Sequence, residues 1–173
     1  IYTTINSSGF AIPPDNLLDK PIFVNGGGMA VDNTWSRQVY VTYGFSVNAG
    51  VTLHIPAGAV LKFMNMSGIT VSGTLDVNGT EALPAVITEF RDDTAGGDSN
   101  GDAGATTPAP GAWTGLFIPG GGNASFDYAE IRYGGGYFFK GDRDACHYGN
   151  LRKDGGVCLF TNQQTSAHSG SAA

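Results

Sequence analysis

Val51-Thr52-Leu53-His54-Ile55-Pro56-Ala57-Gly58 and Gly73-Thr74-Leu75-Asp76-Val77-Asn78-Gly79-Thr80 are one phrase written twice, at an offset of 22 residues. Leu53 and Ile55 become Leu75 and Val77, with a polar residue between them each time. Val60-Leu61-Lys62-Phe63 then returns as Val86-Ile87-Thr88-Glu89-Phe90 after a slightly longer turn. Alternation with period two is the mark of a strand with one buried face. A period near twenty with three short strands per repeat is the length of one coil of a parallel β-helix. In such a coil each strand pairs with its equivalents above and below, alternate side chains fill a narrow shaft, and corners that need positive φ take Gly or Asn.

Outward from this phrase the chain continues in kind: VYVTYGFSV (39–47), GITV (68–71), GLFI (115–118) and ASFDYAEI (124–131) are brief β-rich runs punctuated by Gly, Asn or Pro. The shaft would be filled by Leu53, Ile55, Leu61, Phe63, Ile69, Val71, Leu75, Val77, Val86, Trp113, Leu116, Ile118, Phe126, Tyr128 and Ile131, while the intervening Thr, His, Lys, Ser and Asp face water. Helix signals are confined to Asp15–Lys20, which after Pro13 and Pro14 has room for one turn at most. An antiparallel sandwich shares short strands and glycine turns, but its strands are not expected to recur as similar triplets. The expected fold is all-β: a single domain of three to four coils over 35–135, interrupted by an acidic loop at 91–112. An irregular segment, 1–34, precedes the coils, and a cap and tail, 136–173, carrying aromatic residues and both cysteines, follows them.

Composition narrows the function. Charged residues make up 14% of the 173-residue chain and the formal net charge is −6, so no basic stripe is available for phosphate, and neither nucleic acid nor an anionic membrane surface is an expected partner. No apolar run reaches the roughly 18 residues that a membrane-spanning helix needs. Ile1–Ser8 lacks the basic and apolar regions of a signal peptide, so an exported protein would be represented here in mature or trimmed form. Cys146 and Cys158 have neither CxxC spacing nor a histidine cluster, which disfavours zinc. Gly149, Gly155 and Gly156 between them would let the chain double back, so a disulfide and an oxidising compartment are expected, with two reduced thiols as the alternative.

Trp35, the run Val39–Phe63, the run Gly68–Phe90, the stretch RDDTAGGDSNGDAGATTPAPGAWTGLFI (91–118) and AEIRYGG (129–135) together resemble the repeat region of bacterial secreted and cell-surface right-handed parallel β-helix proteins, of pectate-lyase-like fold. The resemblance implies a fold and an extracellular or cell-surface location; proteins of this kind have varied roles. They usually continue for many coils, whereas this chain leaves the pattern after Gly136, so it is either a fragment or has ends that something else covers.

Two regions could carry chemistry. Asp98, Asn100 and Asp102 follow the D-x-N-x-D order in which alternate side chains converge on one hard cation, and Asp92 or Asp93 with backbone carbonyls would complete a calcium shell. Ala103 stands where a calcium loop usually has Gly, and no glutamate occupies the twelfth position, Ala109. The alternative is a solvated loop of Asx-turns. Glu89, Arg91, Asp127, Glu130 and Arg132 could serve a polysaccharide-cleaving enzyme, but a cleft for polyuronate should be basic, and outward-facing charges at a soluble edge are the preferred reading. His54, His147 and His168 are scattered, with no nucleophile elbow. Tyr133, Tyr137, Phe138 and Phe139 could stack on sugar or meet a partner, and are more simply a cap over the coil end. The expected protein is therefore non-catalytic, structural or adhesive. It would have a calcium-stabilised loop and would associate with itself, as a filament or sheath subunit, or with other cell-surface proteins or polysaccharide.

Overall fold

A computed structural model describes residues 21–24, 26–36, 39–64 and 66–134, together with the backbone of three later strands at 152–154, 157–160 and 164–167. Every regular element among them is a strand, and among the described residues no helix is long and apolar enough to cross a membrane. The chain is laid down in three sheets visited in turn. The first circuit is β1 (Ile22–Val24), β2 (Gly28–Met29) and β3 (Asn33–Thr34). The second is β4 (Val39–Thr42), β5 (Phe45–Val47) and β6 (Thr52–Pro56), and the third β7 (Val60–Phe63), β8 (Gly68–Val71) and β9 (Thr74–Asn78). The fourth is β10 (Ala85–Glu89), β11 (Gly115–Phe117) and β12 (Asn123–Asp127), after which β13 (Ala129–Arg132) re-enters the first sheet. Pairing is parallel throughout these thirteen strands.

The register is the one the repeat implies: Leu53 pairs with Leu75, Ile55 with Val77, Val60 with Val86 and Leu61 with Ile87. Like side chains therefore stack in columns. Ile22, Tyr40, Leu61, Ile87 and Ile131 form one buried column in the first sheet, and Leu53, Leu75 and Ala124 another in the third. Aromatic rings bind the circuits further. Phe63 stacks on Trp113 at 4.5 Å and on Phe45 at 6.4 Å, and Trp35 stacks on Tyr40 at 4.8 Å. Where the first sheet turns into the second, the backbones of successive circuits nearly touch. Gly44 has φ +102°, and a Cβ there would stand 2.6 Å from the carbonyl oxygen of Gly68.

Several expectations need correction. The segment 1–34 is not irregular where it is described: β1, β2 and β3 form a full circuit paired to the next, because Ile22, Val24 and Met29 bury the same way as the later repeats despite lacking their signature. Val86 is buried, but on the outer face of the first sheet, with Val60 and Ala95; Ile87 is the residue in the main core. Leu116, half-buried, does pack against the main core, whereas Tyr128 is half-buried at a corner with φ +43°. Lys62 is fully buried instead of facing water.

Past 134 the sense of pairing reverses. β14 (Arg152–Asp154) and β15 (Val157–Phe160) form an antiparallel pair, and β15 lies antiparallel on β13 while β16 (Gln164–Ala167) lies antiparallel on β12. Cys158 belongs to β15, opposite Ile131, whereas Cys146 lies outside the described residues, as do Tyr137, Phe138 and Phe139. Tyr133 is half-buried and packs against the main core.

Candidate metal centre

The acidic segment leaves β10 at Phe90 and regains the stack at Trp113, and its first part folds back over the outer face of the first sheet. Ala95 packs on Val60 and Val86, and Gly96 passes so near Val39 that a Cβ would stand 2.5 Å from its Cγ2. Lys62 projects into this covered layer. Its ammonium donates to the carbonyl oxygens of Asp92, at 2.9 Å, and Gly97, at 2.7 Å, bridging the two ends of the turn. Desolvation pulls Lys62 below the usual lysine range, against the opposing pull of the carboxylates of Asp92, Asp93, Asp98 and Glu89.

Asp92 is fully buried and both its oxygens are taken. Oδ2 accepts from Thr88 Oγ1 at 2.7 Å and Arg132 Nη1 at 3.2 Å, and Oδ1 accepts from the amide and hydroxyl of Thr94. Burial works against the charge, but the hydrogen bonds from Thr94 and Thr88 and the Arg132 guanidinium outweigh it and hold Asp92 below the usual carboxylate range. Asp92 is thus a structural anchor, set apart from the other acidic residues of the loop.

Asp93, Asp98 and Asp102 do converge, each offering a carboxylate oxygen within 4.8 Å of the others. Asp98 accepts the amides of Gly101, Asp102 and Ala103, and Asp102 accepts those of Gly104, Ala105 and Thr106. The Thr106 hydroxyl, with these amides, holds Asp102 below the usual carboxylate range. Asn100 Nδ2 donates to Asp102 at 2.8 Å, which leaves its carbonyl oxygen as the acceptor still to be satisfied. Asn100 Oδ1 and Asp93 Oδ1 are both buried without a hydrogen-bond partner. Three carboxylates, one of them with a buried oxygen that has no hydrogen-bond partner, are the donor chemistry a hard cation such as calcium takes.

Four of the other charged candidates form two pairs, and Asp127 lies half-buried at the end of β12, outside those pairs. Glu89, expected to face outward, is buried and bonds the Nε of Arg91 at 2.7 Å; Glu130 bonds Arg132, which also reaches Asp92. Burial pulls Arg132 down, yet Glu130 and Asp92 outweigh it and hold the guanidinium above its ordinary value. One constellation was not read from the sequence. On the outer face of the third sheet Asp76 accepts from Ser125 Oγ at 2.7 Å and Asn78 Nδ2 at 2.9 Å, and lies 2.8 Å from His54 Nδ1. The register that aligns His54 with Asp76 and Asp76 with Ser125 contained the signal. The serine donates to the carboxylate and not to the imidazole, so the order of groups differs from that of a nucleophilic triad. In comparisons with protein-family models, curated proteins and solved structures, none matches this chain.

Proposed function

We propose that this chain is a right-handed parallel β-helix serving as a non-catalytic, structural or adhesive part of an extracellular or cell-surface protein, with calcium holding its acidic loop. The reading is carried by the layer beside the acidic loop. There Glu89, Arg91, Glu130 and Arg132, which a polysaccharide-cleaving site would need free, are bonded to each other and to Asp92. Such pairing supports a scaffold whose charges fasten one circuit to the next.

Self-association through open strand edges would have β1, β2 and β3 to use, since these are the outermost strands at one end of the three sheets among the described residues. At the other end β15 and β16 already occupy β13 and β12, which leaves β11 as the terminal strand of the second sheet and favours contacts through the β1–β3 side, where all three sheets end in a parallel strand. Calcium bound to the folded state alone adds about 2.7 kcal/mol at roughly 100 times its dissociation constant. A melting temperature that falls on chelation and recovers on calcium addition is expected, and one that does not move rules out a stabilising ion. Sedimentation at micromolar concentration tests the assembly, and non-reducing peptide mapping of native material tests the Cys146–Cys158 bridge and with it the oxidising compartment.

A further inference from the structure

The sheet itself supplies a cation to the acidic loop. Lys62 is on β7, thirty residues before Asp92, yet its ammonium bonds the carbonyl oxygens at both ends of the turn Asp92–Gly97. These are backbone acceptors, the kind a bound metal ion would otherwise collect. The turn is also held by its own contacts: Ala95 against Val60 and Val86, Thr94 on Asp92, and Asp92 on Thr88 and Arg132. Beyond Gly97 these tethers stop. The tip, Asp98–Thr106, is shaped by amides gathered on Asp98 and Asp102, and it contains or borders the unsatisfied oxygens of Asn100 and Asp93.

We propose that Lys62 acts as a built-in cation that closes the Asp92–Gly97 turn, dividing the loop into a base ordered without any ion and a tip, Asp98–Thr106, whose order depends on one. The ion-dependent tip rests on the calcium reading above; the lysine-closed base does not. In consequence Asp93 is presented by a preformed base, and an ion arriving at Asp93, Asp98 and Asp102 orders only the tip.

Amide hydrogen exchange on the full chain, with calcium and with chelator, separates the two halves. The expected result with chelator is that the amides of Asp92–Ala95 keep their protection while those of Gly101–Thr106 exchange at least tenfold faster. Loss of protection in both halves together overturns the proposal, because the ion would then be ordering the whole loop. If neither half responds to calcium, the ion-dependent tip and the calcium reading fall, and Lys62→Met decides the clamp. That variant should lose protection at Asp92–Ala95 in either medium while the strands at 52–56 and 74–78 keep theirs. Unchanged protection of the base in Lys62→Met overturns the clamp. Should Lys62→Met fail to fold, Lys62→Gln, which removes the charge and shortens the reach to the Asp92 and Gly97 carbonyls, is read by the same exchange measurement, and unchanged protection of the base in it overturns the clamp.

Discussion

The guanidinium of Arg132 reaches the fully buried carboxylate of Asp92 at 3.2 Å, joining the last parallel strand of the first sheet to the root of a loop forty residues earlier. Thr88, on the neighbouring strand, donates to the same oxygen, so one carboxylate ties sheet and loop together.

That relationship makes stability pH-dependent with a definite sign. The folded state holds Asp92 below its ordinary range, so its contribution is complete above the unfolded value, near pH 4, and is lost as pH falls through the lower folded value. Asp92→Asn should cost about 2 kcal/mol at neutral pH and flatten the fall in stability below about pH 4. Urea unfolding of both chains at pH 7, 4 and 3 measures this; equal slopes would contradict it.

Asp93→Asn should have a different effect, read through calcium and not through pH. Asp93 Oδ1 is buried without a hydrogen-bond partner, and one of the Asp93 carboxylate oxygens lies within 4.8 Å of oxygens of Asp98 and Asp102. Without calcium, Asp93→Asn should leave the melting temperature unchanged or raise it slightly, by relieving like-charge repulsion. With calcium, the variant should lose most of the rise shown by the unaltered chain. Calorimetric titration and thermal melts with and without chelator test both halves.

Gly44 and Gly50 both have positive φ but differ in surroundings: a Cβ at Gly50 meets nothing within 4 Å, whereas one at Gly44 runs into the Gly68 carbonyl. Gly50→Ala should cost about 1 kcal/mol, the backbone penalty alone. Gly44→Ala should cost at least about 3 kcal/mol, because two circuits must part to admit the methyl group. The difference between the two urea midpoints is the test.

Phe63 is fully buried between Phe45 and Trp113. Phe63→Ala should cost about 3 to 5 kcal/mol and alter the emission of Trp113 in the folded state. Tyr43→Ala, at a corner where the ring is 69% exposed, should stay within about 0.5 kcal/mol of the unaltered chain.

The strand pairing of the middle circuits was legible in the sequence, down to Leu53 on Leu75 and Val60 on Val86, because a repeated phrase puts the same alternation at the same place in each circuit and stacking like on like satisfies it. The convergence of acidic loop residues was legible too, since D-x-N-x-D is a local pattern; of the residues it suggested, Asp98 and Asp102 meet Asp93, while Asn100 bonds Asp102. The identity of the surface covering each strand was not legible. Alternation states that Lys62, Val86 and Thr88 share a side of their sheet or lie beside it, but the same letters suit a face in water and a face under a loop. Only the fold lays Asp92–Gly97 over that side, which buries Lys62, diverts Asp92 to Arg132 and leaves Asp93 to join Asp98 and Asp102. Tertiary structure likewise decided that Trp113 returns onto Phe63 and that His54, Asp76 and Ser125 meet. Those contacts span up to about fifty residues of chain, and the free energy that selects them comes from burial and charge pairing between segments, which no local pattern records.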